Sequence, residues 1–388
     1  MDWGNVPTYT WLRNVNYSSK GGTNMRKTYL DNVRWITVVL VVIYHVIYMY
    51  NGVTDYAVIG PFWDFQPQDT FLYLVYPWFM LLLFVVSGMA ARFELERKNT
   101  KGFFKARTRK LLVPSTIGLV VFQWILGYYN MQIAGAFDQM GALPKPVLFL
   151  IMAASGIGPL WYIQLLWCLV LALLWVRKIE KDRLYRLGEK ANCILLFLFT
   201  FLIYGAAQVL NTPIIVVYRF GIYGTGFFIG YFVMSHESVM ERMEEHWTLF
   251  TAAGLIAGLV FTILYWGKFY PDHEVLDTFC CNAFAWLGTL GVLAFMKKWG
   301  NFVNSFSRWM SSKSWGLYIF HYLPIAVTAF YLKKYLPNLA PLVVYLLTAA
   351  AGFAGAIVLY EIISRIPVLR WCVLGRERNE LCREFSRT

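Results

Sequence analysis

Apolar residues gather in ten long runs, at about 33–52, 70–91, 111–130, 158–176, 191–210, 214–234, 247–267, 278–296, 314–332 and 340–363. Each is long enough to cross a hydrocarbon layer, which takes roughly 20 apolar residues as a helix. A further stretch at 147–154 is too short to span and reads as a re-entrant or interfacial helix. The pattern predicts an all-α, polytopic membrane helix bundle of about ten transmembrane helices. It has a cytoplasmic N-terminal segment (1–32), a transmembrane domain (33–363) and a basic cytoplasmic tail (364–388). The polar ends are too short for soluble domains of their own. The first run is too long for a signal peptide and lacks a small-residue cleavage site, so it is expected to stay in the protein. No internal repeat is visible.

The charges between the runs set an orientation. With the N-terminus inside, the inner segments hold 29 Lys and Arg. The outer loops hold 4: Lys145, Lys268, Lys333 and Lys334. Such an excess marks the cytoplasmic side and predicts both termini inside, in a plasma (inner) membrane. Segment 235–246 is the exception, being acidic with Arg242 its only cation.

Composition agrees. Hydrophobic residues make up 58% of the 388 and charged ones 15%, against about 25% charged in a soluble domain. Sixteen Trp and 25 Tyr suit the aromatic belts of membrane interfaces. The net charge of +13 does not point to nucleic acid, because the cations flank apolar runs and form no single patch. The six cysteines show no Cys-x-x-Cys pattern, so neither a disulfide framework nor a metal site is expected.

The first run carries the sharpest chemistry. Asp31 is placed to cap its helix, and Arg34 follows at the inner interface. His45 stands 11 residues beyond Arg34, three helical turns plus about 20°, so the two share a face ~16 Å apart. Alone, Arg34 reads equally as a snorkelling anchor and His45 as a helix-to-helix hydrogen bond. Yet an ionisable group at membrane depth is costly and marks function, and histidine suits general base work near neutral pH.

Asp-x-x-Arg, ten residues, then His resembles the signature of the acyltransferase family 3 membrane proteins. These include O-acetyltransferases of surface polysaccharides and the glucan-biosynthesis succinyltransferase. Similar motifs follow in order along nearly the whole chain. Phe84-x-x-Ser87-Gly88 resembles the family's Phe-x-x-Ser-Gly. Arg107, Arg109 and Lys110 before Leu111-x-x-Pro114 resemble its Arg-x-x-Arg and Leu-x-x-Pro. This chain departs at Lys110, which keeps the charge but loses the bidentate fork. Leu160-Trp161-Tyr162 and Tyr318-x-x-His321 match two later segments.

The resemblance implies a donor, acyl-CoA (acetyl-CoA or succinyl-CoA), held by its phosphates at Arg107, Arg109 and Lys110, with Ser87 nearby, and no permanently bound cofactor. His45 would act as base, with Arg34 and His321 beside it. Ser87 reads equally as helix packing, and Trp161 and Tyr162 as belt aromatics at the outer interface or as a platform for a sugar. Arg219 is expected inside the sixth run, to bind an anion or pair with an outer acid. Glu361 is expected to orient Arg34. Gln123, Gln164, Gln208 and Asn282 read as glue between helices. His236, His246 and His273 lie in loops and are given no role.

The expected activity is transfer of an acyl group to an extracytoplasmic carbohydrate or other surface hydroxyl, directly or through an acyl-histidine. Acetyl is the default group; the Ser-Gly-Met form of the second run and the lack of a fused extracytoplasmic domain lean to succinyl. Expected partners are the donor, the acceptor and the bilayer, with a homo-oligomer left open. The rival is a secondary transporter using His, Arg and Glu as a proton relay. Against it stand the missing repeat and the missing pair of broken helices. No nucleotide-binding loop, His-Glu-x-x-His or serine elbow appears.

Overall fold

The computed structural model describes residues 27–53, 58–64, 66–140, 143–211 and 217–377. Most of the N-terminal segment and the end of the tail, with Cys382, lie outside the described residues. In chain order the main helices are α1 (Thr28–Met49), α2 (Thr70–Leu95), α3 (Thr100–Ile133), α4 (Lys145–Ser155), α5 (Trp161–Glu180) and α6 (Cys193–Ala207). There follow α7 (Phe220–Met234), α8 (Trp247–Tyr265), α9 (Phe279–Trp299), α10 (Ser305–Phe320), α11 (Tyr322–Tyr335) and α12 (Pro341–Arg365).

Seven of these, α1, α2, α3, α5, α8, α9 and α12, are long and apolar enough to cross a membrane. The pair α10 and α11, bent by 54°, makes an eighth if it is one span. The count of about ten expected from the apolar runs is thus approximate. Runs 191–210 and 214–234 form only the shorter helices α6 and α7. Leu210 takes a positive φ of 57°, and Asn211 bridges Arg219 before α7 begins at Phe220. Arg219 is thus the residue before a helix, outside the span it was assigned to.

The ninth run is also redrawn. Asn304 caps α10, accepting from the Ser307 N–H at 2.7 Å while Ser307 Oγ accepts from the Asn304 N–H. The reciprocal pair satisfies two orphan donors and starts the helix well before Ser314. His321 then lies about 24 Å along the axis from Ser305. The helix breaks there because Pro324 offers no N–H to the Phe320 carbonyl and its ring crowds that oxygen.

Small residues let the helices close. A Cβ at Gly88 would overlap the Phe227 carbonyl oxygen, and one at Gly230 would overlap that of Val85. Gly226-x-x-x-Gly230 and the Ser-Gly of α2 are therefore two sides of one backbone-to-backbone crossing. Large apolar side chains on α6, α8 and α12, among them Phe201, Leu255 and Leu342, stay exposed on the outside of the bundle. Lipid is the solvent that such a surface fits.

The six segments expected on the inner side meet at one end. Lys27 and Lys297 both pair with Glu237, Lys298 approaches Glu244 at 3.8 Å, Arg92 pairs with Asp182 at 2.7 Å, and Arg109 pairs with Glu377. Segment 235–246 is acidic for a visible reason: its carboxylates neutralise lysines from the N-terminus and from α9.

Candidate active site

At this basic end α1, α2, α3, α5 and α10 enclose a cavity of about 660 Å³. Helix α1 presents Asp31, Arg34 and Val38, a spacing that keeps one face toward it. Asp31 does not cap the helix. Buried Tyr29 and Leu30 extend α1 backwards, Lys27 takes the cap position, and Asp31 instead holds Arg34 at 3.2 Å. Helix α2 adds Leu83, Ser87 and Glu94.

Helix α3 supplies Arg107, Arg109 and Lys110. A π-helical turn at Thr108–Leu112 holds the last two, directly before Pro114. Proline cannot donate to the Lys110 carbonyl, and the wider turn absorbs that mismatch. The cations have partners of their own. Arg107 reaches Glu94 at 2.7 Å, Arg109 pairs with Glu377, and the Lys110 ammonium stands 5.0 Å from the Trp315 ring centre.

The lining residues nearest His45 and His321 along α1 and α10 are Val38 and Tyr318, which with Leu83 and Tyr162 make its floor. The Tyr162 hydroxyl and Ser87 Oγ are 2.8 Å apart, and the Tyr318 hydroxyl donates to the Pro159 carbonyl. Ser87 lies 17 residues along α2 from Thr70, about 26 Å, which is far from the outer end. Trp161 and Tyr162 are therefore not outer-interface aromatics. The reason is α4, which folds back along α3 so tightly that a Cβ at Gly127 would overlap the Met152 carbonyl. The chain thus starts α5 from inside the bundle.

His45 lies seven residues beyond Val38 on α1, about 10 Å deeper. There it meets His321, with His45 Nδ1 and His321 Nε2 3.1 Å apart. The partners fix the tautomers. His321 Nδ1 lies 3.0 Å from the Leu317 carbonyl and 2.9 Å from that of Tyr318. A carbonyl only accepts, so Nδ1 carries the proton and Nε2 the lone pair. His45 Nδ1 lies 2.8 Å from the Val41 carbonyl, so it too is protonated and shares that hydrogen with His321 Nε2. The lone pair of His45 falls on Nε2, which has no hydrogen bond among the described residues. His321 is fully buried, whereas His45 is partly buried as a residue. Tyr322 packs edge-on at 4.9 Å and Tyr44 at 5.2 Å.

Three expected site residues stand apart from cavity and pair. Trp161 packs against Tyr223 at 5.6 Å. Arg219 is buried, donating to the Leu276 carbonyl at 3.0 Å beside Asp277 at 3.5 Å, the outer-acid pairing. Glu361 does not meet Arg34. It pairs with Lys313 and lies 3.7 Å from Arg365, because α12 packs on α10 at that level. The four amides act as glue: Gln164 donates to the Ser115 carbonyl and Gln208 to that of Asp277. Gln123 and Asn282 do the same toward Ile319 and Leu276. Among the described residues no His, Cys, Asp and Glu cluster is fit for a metal.

The residues missed from sequence are Arg308, Ser311 and Trp315 of α10, and Arg376; Tyr318, read there only as part of the Tyr-x-x-His motif, joins them. The signal for the first two was the Asn304-x-x-Ser307 cap, which brings them into a helix.

The basic cavity and the histidine pair lie in a bundle clad in apolar side chains, the form of a membrane protein. A model of the acyltransferase domain of family 3 matches residues 27–361, and the chain belongs to that family. It is a multi-pass membrane acyltransferase. No curated protein and no solved structure matches it.

Proposed function

We propose that the protein moves an acyl group, acetyl or succinyl, from cytoplasmic acyl-CoA to a hydroxyl of an extracytoplasmic glycan or other surface acceptor, in the inner membrane. The observation that carries this reading is the His45–His321 pair, whose tautomers leave a basic nitrogen beyond the floor of a cation-lined cavity. The donor's phosphates sit among Arg34, Arg107, Arg109 and Lys110, and its arm passes between Tyr162 and Tyr318. His45 Nε2 takes the proton of the acceptor hydroxyl while its oxygen attacks the thioester carbonyl. The carbon–sulfur bond breaks, and the leaving thiolate takes that proton from His45. An ester and CoA thiol result. His321 accepts from His45 Nδ1–H throughout, which orients the ring and steadies its charged form, as in other base-and-orienter pairs.

The test is transfer of label from radiolabelled acetyl-CoA or succinyl-CoA to envelope glycans by membranes carrying the wild-type or His45→Ala chain. Transfer by the wild type alone is expected. Equal labelling by both overturns the role of His45, and acid-labile, hydroxylamine-sensitive label on the wild-type protein that His45→Ala lacks replaces direct transfer by an acyl-histidine. The transporter reading draws on one observation, the helix broken at His321. It requires solute movement into liposomes without acyl-CoA.

A further inference from the structure

We propose that Arg308, assisted by Ser311, holds the 3′-phosphate on the donor's ribose at the mouth of the basic cavity. This rests on the acyl-CoA reading of that cavity. Residues 308, 311 and 315 are spaced to share one helical face, and all three line the cavity. Tyr318, at the floor, follows one turn beyond Trp315. From the His45–His321 contact, Arg34 lies 11 residues back along α1, about 16 Å, and Arg308 lies 13 residues back along α10, about 20 Å. Arg308 is therefore the outer of the two arginines, by about 3 Å.

The donor has the same two levels. With its thioester deepest, its pyrophosphate comes next and its ribose phosphate lies farthest out. The pyrophosphate falls level with Arg34 and Lys110, which leaves the phosphate monoester for Arg308. The partners of Arg308 favour this. Its guanidinium reaches Ser305 Oγ at 3.4 Å, and no carboxylate lies within ion-pair distance among the described residues. Arg34, Arg107 and Arg109 each already hold an acid. A guanidinium fork without a carboxylate, with a serine hydroxyl one turn further in, is suited to a doubly charged phosphate.

The test compares CoA with 3′-dephospho-CoA binding to the purified full-length protein in nanodiscs by calorimetry. The wild type should bind CoA at least about tenfold more tightly, the usual worth of a hydrogen bond to a charged group. Arg308→Gln should bring the two within about twofold by weakening CoA alone, and Arg308→Lys should keep part of the preference. Unchanged affinity for dephospho-CoA shows that the variant is folded. Equal binding of both ligands by the wild type, or equal weakening of both by Arg308→Gln, overturns the assignment. A wild type that binds neither overturns the donor reading itself.

Discussion

The two halves of the site solve opposite electrostatic problems. In the cavity, charge is plentiful and already paired: Arg107 holds Glu94, Arg34 holds Asp31, and Lys110 rests on Trp315. Except at Arg308, an anion that binds there exchanges one partner for another. At the histidine pair no carboxylate or fixed cation takes part among the described residues. Both rings are held by main-chain carbonyls, Val41 on one side and Leu317 and Tyr318 on the other. The cavity is arranged to grip a charged molecule, and the pair to move one proton. Damage to the two should therefore separate into different kinetic constants.

The largest effect is expected at the pair. Removing a general base typically costs 10²–10⁴-fold in rate, so His45→Ala should lower kcat by about that much while KM for acyl-CoA stays within about twofold. His321→Ala should lose less, about 10²-fold, because His45 keeps its bond to Val41. A KM that rises with either variant would put the histidines in donor binding and erase the division.

Arg107→Ala should do the reverse. It should raise KM for acyl-CoA about tenfold or more, the range of a charge-assisted hydrogen bond, with kcat little changed. Part of that loss is Glu94, left facing the phosphates with Lys98 alone to balance it. Adding Glu94→Gln should therefore recover affinity. If it does not, the carboxylate plays no part in tuning the cavity. Tyr318→Phe, at the boundary, should cost a few-fold in activity through the lost anchor on Pro159, consistent with ~1 kcal/mol for one neutral hydrogen bond.

Much of this site was legible because it follows from one helix and short motifs. Arg34 and His45 share a face by arithmetic, and the basic turn of α3 is local. The Ser-Gly of α2 was legible as a close approach, but its partner, Gly226-x-x-x-Gly230, lies 140 residues away. What failed was depth. Hydropathy locates apolar runs, yet α10 is polar at its start and begins at a cap, so its serines and Arg308 were counted as loop charges. The fold-back of α4 leaves no trace in run lengths, so Tyr162 was placed at the wrong end of its span. Glu361 was matched to Arg34 by level alone. Packing of α12 on α10 gave it to Lys313.

A third buried histidine tests whether burial alone makes a histidine functional, and the smallest effect is expected there. His236 lies outside the membrane spans, stacked on Tyr185 at 3.9 Å and bonded through Nε2 to the Tyr185 carbonyl at 2.8 Å. Burial pushes its pKa below the ordinary histidine value, and the Arg92 guanidinium, 3.5 Å from the Tyr185 ring centre, adds to the shift. The folded state then binds fewer protons than the unfolded chain near and below pH 6.5. Its contribution to stability is full above that pH and is lost as pH falls through the lower folded value. Melting temperature in nanodiscs should decline between about pH 7 and 5, and less steeply for His236→Gln, whose amide keeps a donor for Tyr185 but does not titrate. Activity at neutral pH should not change. Identical slopes would remove the proton linkage from His236, whereas a loss of activity would mean that the inner loops act on catalysis and the site is not confined to cavity and pair.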